Sequence, residues 1–195
     1  MNRIHKRIIE ISKKHNLSHL GSCLTAANII NDIYLRKKED EPFILSSGHA
    51  GLALYVILEK FYNLDAEQLY LKHGTHPNRD LDNKIYCSTG SLGMGLSIAC
   101  GMALADRTKN VYCLISDGES YEGVIWEASN LIKDQNITNL KLYCNFNGYG
   151  AYDEIGYKHK IMIQNLFIDM KIVDTYVEDY GLKGLSAHYI KAEQL

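Results

Sequence analysis

Residues 111–153 read VYCLISDGESYEGVIWEASNLIKDQNITNLKLYCNFNGYGAYD, and the fold follows from this stretch. Val111–Ser116 has the apolar, β-branched character of a buried strand, and Asp117-Gly118 makes a turn. Val124, Ile125, Ala128, Leu131 and Ile132 recur at three- and four-residue steps, which predicts a helix with one apolar face. A second strand is expected over 140–145, running into Asn147. A strand-helix-strand unit of this length is a right-handed crossover, so the two strands are expected to be parallel. Asp117 and Asn147 then leave the sheet at the carboxyl ends of parallel strands, where open α/β sheets bind their ligands. A carboxylate and an amide oxygen are hard ligands that suit Mg²⁺, a cation that usually shares its coordination sphere with water and phosphate. Gly118 would let a diphosphate approach the backbone, and the helix N-terminus behind it favours an anion. The same residues would also serve as an ordinary turn and a solvated Asn, and this stretch by itself does not choose.

The rest of the chain narrows the choice. Its 195 residues suffice for one domain with a real core, expected to span 1–195. A net charge of −2, with 46% hydrophobic and 23% charged residues, gives no reason to expect nucleic-acid binding. Five cysteines, none in a C-x-x-C pair, read as reduced buried thiols rather than a disulfide framework or a zinc site. No apolar run reaches membrane-spanning or signal-peptide length, so a cytoplasmic location is expected and the Asn136-Ile137-Thr138 sequon carries no weight.

In chain order, Ile4, Ile8 and Ile11 predict a first amphipathic helix. Residues 18–21 (Ser-His-Leu-Gly) are expected to be a loop, followed by a helix through Ala26, Ala27, Ile30, Ile33 and Tyr34. A short strand at Phe43–Leu45 leads into Ser46-Ser47-Gly48-His49, with helices expected over 50–61 and 65–71. KHGTHPNRD, holding His73 and His76, has loop composition, and either histidine could be simple solvent-facing punctuation. Gly90, Gly93 and Gly95 open a helix of small and apolar residues over 93–105, expected to be buried with close backbone packing. Its spacing is not G-x-G-x-x-G and no strand clearly precedes it, so a Rossmann dinucleotide site fits poorly.

Taken together, the His-x-Gly loop, Leu-Ser-x-Gly-His, Gly-x-His-Pro, Thr-Gly-x-Leu-Gly-x-Gly, Asp-Gly and an Asn 30 positions later resemble the N-terminal, thiamine diphosphate-binding domain of transketolase. That resemblance implies an α/β fold of three layers, a parallel sheet with helices on both faces. It implies Mg²⁺ held by the Asp117 and Asn147 side chains and the Tyr149 carbonyl. Gly118, Glu119, Glu122 and His49 would belong to the cofactor-binding set, Glu122 as a carboxylate linking cofactor sites across a dimer. Gly90, Ser91 and Leu92 match a Gly-Pro-Leu that packs along the cofactor, with Ser91 in place of proline; Ser116 likewise stands where the family usually has glycine. His19, His49 and His76 match histidines that line the route to the reacting carbon and hydrogen-bond the substrate. Histidine suits such proton transfers as the side chain that titrates nearest neutral pH.

The implied reaction is transfer of a two-carbon ketol unit from a ketose to an aldose, on sugars or sugar phosphates. Transketolase also has pyrimidine-binding and C-terminal domains, and the former carries the glutamate that activates the cofactor. The chain is therefore expected to act as the small subunit of a split transketolase, active only with a separate pyrimidine-domain subunit. A homodimer at least, and a heterotetramer with that subunit, is expected, with the 93–105 helix and the segment near Glu122 as the contact face. Two alternatives are a decarboxylase or carboligase of 2-oxo acids using the same cofactor, and a non-catalytic regulatory relative. In the tail, a helix is expected over 161–170 and strands over 171–173 and 187–190; His188 is a candidate distal diphosphate contact by default only.

Overall fold

Four parallel strands, β1 (Phe43–Leu45), β2 (Val111–Ser116), β3 (Leu140–Phe146) and β4 (Lys171–Asp174), lie side by side in sequence order in a computed structural model that describes residues 1–188. The parallel register pairs Leu45 with Leu114, Ser116 with Asn145 and Asn145 with Val173. The carboxyl ends of the strands therefore share one edge. The helices are α1 (Arg3–His15), α2 (Leu20–Arg36), α3 (Gly51–Tyr62), α4 (Ala66–His73), α5 (Met94–Ala105), α6 (Gly123–Asp134) and α7 (Tyr157–Leu166).

Strand alternation divides the core into two layers. Along the fully buried β2, Tyr112 and Leu114 point into a cluster with α1, α2 and α3, whereas Val111, Cys113 and Ile115 point into one with α5, α6 and α7. On β3, Leu140, Leu142, Cys144 and Phe146 join the second cluster. The result is the expected three-layer α/β arrangement. All five cysteines are free and buried in these layers.

Local chemistry sets several helix ends. The Asn2 side chain accepts from His5 N and starts α1, and Asp65 accepts from the amides of Glu67 and Gln68 to start α4. The Asn139 amide donates to the carbonyls of Ala103, Asp106 and Lys109, fastening the end of α5 beside the start of β2. At the other end of α5, a Cβ on Gly95 would lie 2.6 Å from Ser46 Cα, so this helix meets the end of β1 backbone to backbone. Gly95→Ala is expected to destabilise the fold by about 1–3 kcal/mol, read as a lower urea midpoint at unchanged slope.

The structure corrects four expectations. Residues 18–21 are not a loop throughout: α2 begins at Leu20, which is fully buried, and only Ser18 and His19 precede it. The helix expected over 161–170 lies at Tyr157–Leu166, because Phe167 leaves helical geometry and buries its ring instead. The strand expected over 187–190 is a 3₁₀ turn, Leu185–His188, as far as the described residues reach. The His188 side chain lies outside the description. Finally, α5 is covered on one face only: Gly95, Leu96, Ala99, Cys100 and Ala103 are buried, while Met94 is 46% exposed and Gly101 and Ala105 face outward. The helix buried nearly all round is α3, from Gly51 through Leu58. Among the described residues no helix is long and apolar enough to cross a membrane.

Candidate functional site

At the carboxyl edge of the sheet, five connecting segments enclose a cleft of about 600 Å³. Its walls include His19, His49, His76, Gly90, Leu92, Gly118, Glu122 and Tyr149. Ser91 is exposed beside it.

The histidines reach it from three separate segments. His19 precedes α2 with a left-handed backbone (φ 63°), and its ring centroid lies 5.2 Å from that of His49. His49 sits in the 3₁₀ turn Gly48–Ala50 that follows β1. A Cβ on Gly48 would stand 2.8 Å from Gly90 N, so the His49 loop packs directly on the glycine loop. The His76 ring lies against Gly90 in turn, 3.2 Å from where a Cβ would be, and Thr89 N donates to the Pro77 carbonyl. One glycine-rich loop thereby holds two of the three histidines. His73, three residues before His76 in the same segment, is instead spent on Asp80.

Asp80 anchors that segment: its Oδ2 accepts from Lys72 at 2.6 Å, Asn83 at 2.7 Å and His73 at 3.1 Å. Hydrogen bonding by Lys72, then Asn83, holds its carboxyl down at about 2, below the ordinary carboxylate value. A depressed carboxylate contributes stability above its unfolded pKa and loses it as pH falls through the folded value. Asp80→Asn is therefore expected to cost about 1 kcal/mol at pH 7 in urea unfolding, a modest figure because Lys72 is largely exposed. The difference should vanish as pH falls toward about 2.

The turn after β2 carries two buried carboxylates. Asp117 is fully buried; its Oδ1 accepts from Gly118 N at 2.9 Å and its Oδ2 from Gly148 N at 2.7 Å. Burial pushes it up to about 7 despite those amides. The Asn147 amide oxygen accepts from Tyr149 N at 3.0 Å, and the Tyr149 carbonyl lies 3.7 Å from the position of a Cβ on Gly118. Carboxylate, amide oxygen and peptide carbonyl thus meet at one turn, a hard-oxygen set that fits Mg²⁺. Glu119 is also fully buried and pushed up to about 7 by desolvation. Its Oε1 accepts from Ser46 Oγ and Gly93 N, both at 2.5 Å, and its Oε2 from Ser116 N at 3.3 Å. Glu119 therefore ties the end of β1, the glycine loop and the Asp117 turn together. Glu122 stands exposed at the rim, one residue before α6.

Residues 148–155 form a small hairpin over the cleft, with Gly150 N donating to the Asp153 carbonyl and Ile155 N to that of Gly148. The Tyr149 hydroxyl donates to Glu178 Oε1 at 3.0 Å, binding the hairpin to the 3₁₀ turn Val177–Tyr180. Sequence reading missed this hairpin, although Gly148 and Gly150 are a turn signal. It also missed Glu119 as a strut and His159, whose partners are distant in sequence.

Comparison with known proteins matches residues 2–149 to the family described as transketolase, thiamine diphosphate binding domain. The chain belongs to that family. It is 32% identical to the transketolase of Pongo abelii over 185 residues, covering 83% of this chain and 29% of that protein. It is also 32% identical over 166 residues to the 6-deoxy-6-sulfo-D-fructose transketolase subunit SqwG of Clostridium sp. (strain MSTE9), covering 75% of this chain and 60% of that one. The chain thus spans about a third of the length of the curated full-length transketolases it matches. Among solved structures, a transketolase from Campylobacter jejuni superposes with a TM-score of 0.65 at 20% identity, over 89% of this chain and 38% of that one. A Pichia stipitis transketolase gives 0.65 at 23%, over 85% and 31%. These structures share the fold.

Proposed function

We propose that this chain is the diphosphate-binding subunit of a split transketolase-like enzyme, moving a two-carbon ketol unit from a ketose donor to an aldose acceptor. The observation that carries the reading is the convergence of His19, His49 and His76 on the cleft that Gly118 and Tyr149 also line. In this reading Asp117, Asn147 and the Tyr149 carbonyl hold Mg²⁺. Gly118 and His49 contact the diphosphate, and Gly90, Ser91 and Leu92 pack along the cofactor. Glu119 supports that set, as its three hydrogen bonds suggest.

Thiamine diphosphate supplies the electron sink for cleaving and forming the carbon–carbon bond. The chain supplies orientation and proton handling. Histidines on three walls of one cleft can each hold a substrate hydroxyl and take or return its proton as the bond beside it changes.

A separate pyrimidine-domain subunit, carrying the activating glutamate, belongs to the same reading, as does a cytoplasmic location. Its support is the similarity to a protein named as a subunit. The partner face is the outward side of α5, with Met94, Gly101 and Ala105, together with the exposed Glu122. The assembly is a homodimer at least and a heterotetramer with that subunit. The test is calorimetric titration of thiamine diphosphate into the chain with a co-expressed pyrimidine-domain subunit, with and without Mg²⁺. Binding that requires Mg²⁺ is expected; no binding, or binding indifferent to the cation, would contradict the proposal.

A further inference from the structure

Behind the Asp117 turn lies a buried histidine with no role in the reading above. His159 is 6% exposed and shares the inner face of α7 with Ile163. Its Nε2 lies 2.7 Å from Ser120 Oγ, itself almost wholly buried. The Ser120 hydroxyl makes a short hydrogen bond to the Asp117 carbonyl, so its one proton is committed there. Ser120 must therefore accept from His159, which fixes the imidazole with its proton on Nε2. The Trp126 indole donates to the Ser120 carbonyl at 3.1 Å. The Tyr121 ring stacks on His159 at 3.8 Å and 6° between planes, while 59% exposed on the cleft wall. The imidazole thus grips the turn twice, through the Ser120 hydroxyl and through the Tyr121 face. Burial lowers its pKa.

Asp117 carries an energetic cost that makes such a grip useful. Its carboxylate is wholly buried, and a turn free to relax would swing it toward water. A preorganised ligand set does not spend cation-binding free energy on ordering itself.

We propose that His159 is a positioning residue for the cofactor cradle: through Ser120 and Tyr121 it holds the 117–121 turn in the conformation that receives Mg²⁺ and the diphosphate. The proposal rests on the reading of Asp117 as a metal ligand. It differs from a mere core plug in requiring a hydrogen-bond donor at this place rather than bulk alone.

The test uses His159→Leu, which keeps bulk, His159→Gln, whose amide can still donate, and Ser120→Ala. Hydrogen exchange in the cofactor-free chain should be about tenfold faster at amides 118–122 in His159→Leu and Ser120→Ala, with β3 unchanged. Calorimetry on the complex with the pyrimidine-domain subunit should show thiamine diphosphate, with Mg²⁺, bound about tenfold more weakly by these two variants. His159→Gln should recover both signals to within about threefold. At saturating cofactor, kcat should stay within about twofold of wild type throughout. Faster exchange with unchanged cofactor affinity would overturn the proposal, as would equal loss in His159→Gln or faster exchange spreading into β3. Unchanged affinity in Asp117→Ala would remove the metal reading itself, and the cradle with it, a result distinct from an inert His159→Leu.

Discussion

Replacing Asp117 by alanine is expected to weaken thiamine diphosphate binding in Mg²⁺ by about 100-fold or more, equivalent to roughly 2.7 kcal/mol. The carboxylate is fully buried and burial already raises its pKa to about 7, so the fold maintains it at a cost. Two backbone amides, Gly118 and Gly148, face it. These are too weak to balance a buried charge, whereas a divalent cation between this carboxylate and a diphosphate would balance it and bridge the two anions. Alanine removes the bridge and also strands both amides, so part of any loss could come from the loop. Asp117→Asn separates the effects: it keeps the side-chain volume and an acceptor but lacks the charge. Both variants should lose most cofactor affinity, while Asp117→Asn, which strands one amide rather than two, should unfold in urea closer to wild type than Asp117→Ala. Calorimetry showing wild-type affinity in Asp117→Asn would remove the metal assignment.

The second large effect is expected at His76. Its ring lies against Gly90 on the wall of the cleft. His49 instead stands beside His19 in the loop that follows β1, whose backbone packs on the glycine loop. His76→Ala should lower turnover of a ketose donor by about 100-fold, the scale of losing one proton-transfer group, with thiamine diphosphate affinity within about threefold of wild type. His49→Ala should lower both. If His76→Ala lost affinity in step with turnover, the division between substrate-facing and diphosphate-facing histidines would fail.

What could be read before the structure was local. The β2–α6–β3 unit announces itself because its strand and helix periodicities sit within one stretch, and Asp117 and Asn147 follow from where those strands end. The histidine loops were found because each is marked by adjacent glycine or proline. The contacts that turn these loops into one cleft are not local. Glu119 bonds Ser46 across 73 residues, and Ser120 meets His159 across 39. Neither leaves a trace in periodicity. The misplaced end of α7 has a different cause: Ile161, Met162, Ile163, Leu166 and Phe167 suit a helix equally well, and tertiary burial of Phe167 decides where it stops. For α5 the composition is uniformly small and apolar, so it cannot say how many of its sides this chain covers. The structure covers one, and the other is the surface on which the proposed assembly depends.

The central claim is that this cleft, completed by a pyrimidine-domain subunit, carries two-carbon transfer. The measurement that bears on it most directly mixes the chain with that subunit, thiamine diphosphate and Mg²⁺, and offers a panel of ketoses with aldose acceptors alongside 2-oxo acids. A two-carbon unit moving from a ketose to an aldose, lost on omitting this chain or Mg²⁺, is the predicted result. Carbon dioxide released from a 2-oxo acid, with no transfer from any ketose, would contradict it.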